Sequence, residues 1–311
     1  MSNNVISNNV IEMRDVAKYF GDTRAVDGVD LTVQTGELFG LIGHNGAGKT
    51  TLFKMLLGLL PPTRGEIRIA GQPAHGEAFR QVRRGIGYLP ESLALYDNLS
   101  GLETLCFFAR LKGADSATCK PLLNKLGLGD AAHRWVRGYS KGMRQRLGFA
   151  QALLGSPRLL FLDEPTNGLD PQGIREFYQI LRELQQQGVT VVLSSHILAE
   201  IQLRVDRLAL MRTGKIQALG TVHELREALN LPLDFQLTLR PGAATLLQQA
   251  LAKQLSATLQ LDGEIAHVRC PRLHKMVILR ILTALNDVIM DLHIREPSLE
   301  DVFLGYSDAA Q

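Results

Sequence analysis

The chain has 311 residues, of which 45% are hydrophobic and 21% are charged, and its formal net charge is +3. This balance excludes an extensively disordered chain, and the length accommodates two domains. The small net charge excludes a global attraction to nucleic acid, so no nucleic-acid partner is expected. No apolar run approaches the roughly 20 residues that cross a bilayer, and three widely spaced cysteines predict neither a disulfide framework nor a thiolate metal site.

The first predicted domain covers residues 10–228, after a polar and flexible lead over residues 1–9. In it, short apolar runs such as LFGLIG, LLFLDEP and TVVLSSH alternate with helical patterns such as TTLFKMLLGLL and EFYQILRELQQQG. Apolar strands separated by helices predict an α/β fold whose mainly parallel sheet is covered on both faces. Residues of about 91–156 show helical patterns without intervening strands, which predicts a helical subdomain inserted into this core.

The second predicted domain covers residues 229–311. Its pattern reads strand, helix, strand, strand, helix, strand, and a last helix from Ser298. That order is typical of a small α+β domain of ferredoxin-like type. Regulation, dimer contact and docking to an accessory protein remain open as roles for this accessory domain.

A glycine-rich loop follows the first buried strand and opens a helix. It reads Gly43, His44, Asn45, Gly46, Ala47, Gly48, Lys49, Thr50 and Thr51. Glycines allow backbone N–H groups to approach phosphate oxygens, and the helix N-terminus adds partial positive charge. In such a phosphate-binding loop (Walker A), Lys49 reaches the β and γ phosphates and the Thr50 hydroxyl binds Mg²⁺.

Two carboxylates follow the apolar strand LLFL. Asp163, at the end of this strand, is placed to hold Mg²⁺, and Glu164 is placed to take a proton from a water that attacks the γ-phosphate. Either acid alone reads equally well as the cap of a turn. Together with the loop at Lys49, the pair indicates nucleotide hydrolysis.

These two motifs and a third segment, Tyr139-Ser140-Lys141-Gly142-Met143 followed by RQRL, together resemble the ATP-binding subunits of ABC transporters. The resemblance covers residues from about Val10 to Ala228. It implies a P-loop NTPase fold, ATP and Mg²⁺ as cofactors, and ATP hydrolysis coupled to transport. The third segment matches the family's Leu-Ser-Gly-Gly-Gln signature with departures at three places, and read alone Ser140 is a simple helix N-cap.

The resemblance also implies a homodimer, because in this family the signature of one subunit faces the phosphate loop of the other. Ser140, Lys141, Gly142 and Met143 are then expected to bind the nucleotide of the second copy. Asp170 resembles the family's dimer-interface loop. His196 resembles its switch histidine and is expected to contact the γ-phosphate, although a lone histidine is more often structural.

Two further positions correspond to family roles. Phe20 falls where the family stacks an aromatic ring on adenine, with Tyr19 as a substitute and core packing as the rival interpretation of either ring. Glu91 stands in the loop that the family usually begins with Gln. Its carboxylate is expected to meet Mg²⁺ or water as a catalytic and metal-binding group, while it adds negative charge near the γ-phosphate.

Three runs, YLPESLALYDNLSGLETLCFFARLKGA, YSKGMRQRL and EPSLEDVF, resemble ATPases of ABC-2 exporters with six-helix permeases, most closely the NosF type that assists copper-site maturation of nitrous oxide reductase. This resemblance implies a transmembrane permease partner, a place on the cytoplasmic face of the inner membrane, and a periplasmic accessory protein reached through the permease. The alternatives are another ABC-2 exporter, of drug or lipid type, and a soluble ABC-type regulatory ATPase.

Overall fold

The computed structural model describes residues 8–228, 232–252 and 257–295. The chain divides into two compact units between Leu219 and Gly220. The predicted boundary lies after residue 228, whereas the structure assigns the helix at Val222–Ala228 to the second unit. The predicted lead, residues 1–9, overlaps the first strand by one residue, because that strand begins at Asn9.

The first unit contains ten strands and seven helices within the described residues. The strands are β1 (Asn9–Phe20), β2 (Thr23–Gln34), β3 (Leu38–Ile42), β4 (Arg64–Ile69), β5 (Gln72–Pro73), β6 (Ile86–Leu89), β7 (Leu159–Leu162), β8 (Thr190–Ser195), β9 (Arg207–Arg212) and β10 (Lys215–Gly220). The helices are α1 (Lys49–Leu56), α2 (Gly76–Arg84), α3 (Gly101–Lys112), α4 (Cys119–Lys125), α5 (Lys141–Leu153), α6 (Pro171–Gln186) and α7 (Leu198–Ile201).

Two sheets form this unit. The central sheet has the strand order β10-β9-β3-β8-β7-β6, and β3 pairs in parallel with β8 and β9, as β7 does with β6 and β8. Every residue of β3, β7 and β8 is buried, as expected for parallel strands with both faces covered. The second sheet, β2-β1-β4-β5, is antiparallel and packs apolar side chains into the same core.

The inserted segment between β6 and β7 is helical, with α3, α4, α5 and short 3₁₀ turns. Ser100 and Glu103 form a reciprocal capping box at the start of α3, and Gly113 ends the helix in a left-handed conformation. The helix α1 ends at Leu56, ahead of the prolines at positions 61 and 62. Gly58, with φ of 65°, turns the chain there first.

The second unit contains α8 (Val222–Ala228), β11 (Leu233–Leu239), α9 (Ala244–Leu251), β12 (Thr258–Asp262), β13 (Ile265–Cys270), α10 (Lys275–Thr283) and β14 (Ile289–Arg295). Its antiparallel sheet has the order β12-β13-β11-β14, so the second strand of the βαββαβ unit lies at one edge and the fourth at the other. This is the ferredoxin-like arrangement that the sequence predicted. Its apolar core, which includes Phe235, Leu247 and Ile278, consists of buried residues of this unit. The predicted helix from Ser298 lies outside the described residues.

Candidate nucleotide site

The phosphate loop runs from β3 into α1 and lies at the carboxyl ends of the parallel strands. Gly46 and Gly48 have φ of 81° and 104°, a region that L side chains avoid. A Cβ on Gly48 would lie 2.3 Å from the carbonyl oxygen of Ala25, so a side chain there would displace backbone. Glycine is therefore required at this position for the loop to close against β2.

Lys49 is the first residue of α1, and its ammonium turns back across the loop. The side chain is 6% exposed, and Nζ donates hydrogen bonds to the carbonyl oxygens of Gly43 and His44. It also lies 3.4 Å from Oε1 of Glu164. The loop thus encloses a cation held among acceptors, beside the N-terminus of a helix whose free N–H groups favour anions.

Asp163 and Glu164 follow β7 and are both buried, at 1% and 4% exposure. Asp163 accepts a hydrogen bond from Thr50 Oγ1 at 3.0 Å through one oxygen and from Ser194 Oγ through the other. Glu164 has φ of 49°, a strained value for a non-glycine residue, and its backbone N–H donates to Ser194 Oγ at 2.9 Å. The two acids therefore leave the strand with fixed directions.

His196 follows β8, the neighbour of β7, and its Nδ1 lies 2.8 Å from Oε2 of Glu164. The Glu164 carboxylate is consequently held between an ammonium on one side and an imidazole on the other. Such a carboxylate is positioned to accept a proton, and the histidine that orients it is 40% exposed and open to a ligand.

A cavity of about 480 Å³ lies over these groups. This volume fits a small-molecule ligand. Its lining among the described residues is Thr23, Arg24, Ala25, His44, Asn45, Gly46, Ala47, Gly48, Lys49, Thr50, Thr51, Glu91, Asp163, Glu164 and Thr213. Eight of the nine predicted residues of the loop, together with Glu91 and both acids, therefore line one cavity. Gly43 is the ninth, and its carbonyl oxygen accepts a hydrogen bond from Lys49 Nζ.

Phe20 is not part of that lining within the described chain. Its ring is 50% exposed at the end of β1, with the Lys18 ammonium 5.3 Å from the ring centroid. Tyr19, the predicted substitute, donates a hydrogen bond to Asp27 at 2.8 Å and has the Arg24 guanidinium 5.6 Å from its ring. The structure brings Arg24, rather than either ring, to the cavity.

The signature segment lies elsewhere in the unit. Ser140 is the N-cap of α5 and accepts from the Met143 N–H at 3.2 Å, and the Lys141 side chain packs over Gly168. Asp170 caps α6 by accepting from the Gly173 N–H at 2.9 Å. None of these residues lines the cavity described above, so within the described chain one copy supplies the phosphate loop but no signature group to it.

The donors present suit Mg²⁺. Thr50 and Asp163 offer a hydroxyl and a carboxylate oxygen in contact with each other, and Glu91 adds a further carboxylate to the cavity. No cluster of three metal-ligating side chains occurs among the described residues. Mg²⁺ is commonly bound by one or two protein oxygens together with substrate phosphates, so this sparse set fits the ion.

Sequence reasoning missed three residues of the site. Ser194 is fully buried and binds both Asp163 and the Glu164 N–H. Gln145, on α5, donates to the Pro165 carbonyl at 2.8 Å and ties the signature helix to the loop that follows Glu164. Arg24 lines the cavity. Only Ser194 carries a sequence signal, because a serine inside an apolar strand next to a carboxylate-bearing strand needs a polar partner.

Comparisons with known proteins agree with this geometry. The family model described as "ABC transporter" matches residues 26–167. The chain is 37% identical over 297 residues to the uncharacterized ABC transporter ATP-binding protein YhcH of Bacillus subtilis (strain 168), covering 95% of each chain. It is 35% identical over 304 residues to the daunorubicin/doxorubicin resistance ATP-binding protein DrrA of Streptomyces peucetius, covering 95% of this chain and 91% of that protein.

A solved structure shows the same fold. It is a dimeric ATP-binding cassette in a post-hydrolysis state, bound to ADP and Pi, and it matches with a TM-score of 0.63 and 24% identity over 68% of this chain and 98% of that one. No helix among the described residues of our chain is long and apolar enough to span a membrane. The chain belongs to the ABC transporter family as an ATP-binding subunit, with the P-loop NTPase fold of an ATPase.

Proposed function

We propose that two copies of this chain bind and hydrolyse two ATP molecules between them and so drive a separate transmembrane permease. The observation that carries the proposal is the Glu164 carboxylate, buried between Lys49 and His196 at the edge of a phosphate-loop cavity. A buried carboxylate beside a phosphate cradle has the position of a general base for an attacking water.

The roles in the proposal follow from the contacts. Backbone N–H groups of the loop and the Lys49 ammonium bind the β and γ phosphates. Thr50 and Asp163 would hold Mg²⁺, which when bound neutralises charge that develops on the phosphate oxygens. His196 orients Glu164 through the contact at 2.8 Å and faces the γ-phosphate. Glu91, in the lining, holds a water or the ion.

The dimer completes the site. The cavity of one copy has no donors from the signature segment within the described chain. The Ser140 hydroxyl accepts from the Met143 N–H and keeps its own proton to donate to a phosphate of the second copy, at the N-terminus of α5. Lys141 adds a positive charge to that helix start. The dimeric structure of the similar cassette, bound to ADP and Pi, supports this arrangement.

The permease is proposed to be an exporter of the ABC-2 type. DrrA, which matches through both units of this chain, is named for drug resistance. Exposed aromatic rings on the helical subdomain, Tyr96 and Phe107 with centroids 5.6 Å apart, offer an apolar contact for a cytoplasmic helix of such a partner. The proposal includes a position on the cytoplasmic face of the membrane, where such a permease helix is reached. The relatives reported above lend no support to the NosF-type role in copper-site assembly or to a periplasmic accessory protein.

The first experiment tests the dimer and the base together. Glu164→Gln should keep ATP affinity, stop turnover, and form a dimer on addition of ATP and Mg²⁺ in light scattering. A double variant that also carries Lys49→Ala should stay monomeric, because it lacks the phosphate-binding cation. If Glu164→Gln hydrolyses ATP at the normal rate, Glu164 is not the base.

The second experiment tests the signature. Ser140→Ala removes a hydroxyl that caps α5, and Ser100→Ala removes the equivalent hydroxyl from α3 in the same subdomain. Each should lose about 1 kcal/mol of unfolding free energy. Only Ser140→Ala should lose ATPase activity while ATP binding survives. Equal turnover in the two variants would contradict the proposed role of the signature segment.

A further inference from the structure

A second cleft, apart from the nucleotide site, is lined by positive charge. It lies between the end of α2 and the end of α3 and has a volume of about 790 Å³. Its lining among the described residues is Arg80, Arg83, Arg84, Arg110, Leu111, Lys112, Gly113, Ala114 and Gly155. The cleft is called the basic cleft after five of its lining residues, Arg80, Arg83, Arg84, Arg110 and Lys112.

No carboxylate compensates this charge within the described part of the chain. The lining contains no acidic residue, and none of the four arginines forms an ion pair there. The Arg83 guanidinium lies 6.0 Å from the centroid of the Phe79 ring, and Lys112 Nζ donates to the Ile86 carbonyl at 3.2 Å. Four guanidinium groups are exposed and available for anions outside the chain.

The basic cleft is distinct from the phosphate loop. Ile86, which Lys112 contacts, is the first residue of β6, whereas the residues of the nucleotide site follow the last residues of β3, β7 and β8. The strands β6 and β7 are parallel, so their first residues lie at the sheet edge opposite the nucleotide. ATP held by the phosphate loop therefore leaves these cations unneutralised.

Apolar side chains stand among the charges. Leu111, in the lining, is 69% exposed, and Phe107, one helical turn earlier on α3, is 39% exposed. Exposed cations that surround an exposed leucine are the composition of surfaces that lie at a membrane interface, where the cations meet phosphates and the apolar group enters the headgroup layer. Phe107 also contacts Tyr96, the ring assigned to the permease contact.

We infer that the basic cleft binds the anionic phospholipid headgroups of the membrane that holds the permease. The inference rests on the proposed function for placing the chain beside a membrane, and it assigns a lipid contact in addition to the protein one. The open shape of the cleft and its exposed leucine favour a lipid surface over a single free phosphate, which is bound by converging donors. An acidic protein segment is the other occupant that the experiment separates.

The test uses the full chain and sedimentation with vesicles. The wild type should bind vesicles that contain phosphatidylglycerol and not vesicles of phosphatidylcholine alone, and high salt should weaken the binding. Each arginine near an anionic surface contributes about a fivefold gain in partition, so the variant with Arg80, Arg83 and Arg84 changed to Gln should bind on the order of a hundredfold more weakly.

A control variant removes the same net charge from another surface. Arg14, Arg64 and Arg68 lie on β1 and β4 and are each paired with a carboxylate. Their change to Gln should leave vesicle binding within about threefold of wild type, since paired cations attract the lipid surface less. Both variants should bind ATP as the wild type does, which shows that they fold.

The outcomes separate the alternatives. Equal loss in the two triple variants, or equal binding to neutral and anionic vesicles, overturns the inference. Saturable binding of inorganic phosphate that is lost only in the cleft variant, without vesicle binding, assigns the cleft to a free anion and also overturns it. If the cleft variant keeps vesicle binding but loses permease binding in neutral detergent, the cleft binds an acidic protein segment, and the inference is overturned. If the wild type binds anionic vesicles but does not hydrolyse ATP, the result contradicts the proposed function and leaves the lipid contact standing.

Discussion

Replacement of Ser194 by alanine should separate the positioning of the catalytic groups from the stability of the strand that carries them. The Ser194 hydroxyl is fully buried, donates to the Asp163 carboxylate, and accepts from the Glu164 N–H at 2.9 Å. Its removal deletes a hydrogen bond to a charged group and leaves a buried N–H without a partner. We expect the unfolding free energy to fall by about 2–4 kcal/mol.

Turnover should fall further than stability alone explains. Glu164 has φ of 49°, and the bond from its N–H to Ser194 is one of the contacts that hold this strained turn. When the bond is lost, the turn relaxes and the carboxylate moves relative to Lys49 and His196. A displacement of about 1 Å in a reacting group costs on the order of a hundredfold in rate, so kcat should fall by about that factor.

The matched control is Thr190→Val at the other end of β8. Thr190 is 1% exposed, and its hydroxyl accepts from the Gly36 N–H at 2.9 Å, so this change also deletes a buried hydrogen bond of the same strand. Urea unfolding should give comparable losses for the two variants, and steady-state ATPase assays should show lost turnover only for Ser194→Ala. If Ser194→Ala hydrolyses ATP within twofold of Thr190→Val, the positioning role is refuted.

Three further changes have expected outcomes. Gly48→Ala should abolish binding of a fluorescent ATP analogue, because its Cβ would lie 2.3 Å from a carbonyl oxygen. Gly46→Ala has no atom within 4 Å of its Cβ, so it should lose only about 1–2 kcal/mol of folding free energy to the positive φ. Equal affinities of the two variants for the analogue would contradict this. Tyr139→Phe should lower stability in urea by about 1–2 kcal/mol, because the buried hydroxyl donates to the Ala131 carbonyl at 2.7 Å, and an unchanged midpoint would refute it. Leu247→Ala, in the core of the second unit, should lower the unfolding free energy of that unit by about 3 kcal/mol and leave ATP affinity unchanged. A loss of ATP binding would argue against separate cores.

The features that could be predicted from the sequence are those that strand order and local spacing determine. The glycine loop needs positive φ and close backbone approach at fixed positions, and Gly48 shows both in the structure. The βαββαβ pattern of residues 233–295 follows from periodicity, since β11 and β13 bury alternate residues and α9 and α10 bury residues four apart in one apolar core. Both features therefore appear in the structure with the expected connectivity.

Other features depend on contacts between distant segments, which spacing does not encode. Ser194 is 30 residues from Glu164 in the chain, and only the pairing of β7 with β8 brings it to the carboxylates. The basic cleft joins arginines of α2 to the end of α3, and their sequence separation conceals the cluster. Cys106 and Cys119 are 13 positions apart in the chain, and burial, followed by the neighbouring Cys106 thiol, raises the pKa of Cys119 to about 12.

Strand order explains why one edge of the central sheet gathers the chemistry. The adjacent strands β3, β8 and β7 each end at the same edge, and each is followed at once by a chemical group: the phosphate loop, His196, and the acidic pair. Because these strands are buried on both faces, their ends are fixed by the core and not by the loops. The core therefore sets the separation of 3.4 Å between Glu164 Oε1 and Lys49 Nζ, and a γ-phosphate bound in the loop competes with this carboxylate for the ammonium. We expect a γ-phosphate in the loop to take over the ammonium as its partner, which leaves the Glu164 carboxylate to His196 and the attacking water and links ATP binding to hydrolysis.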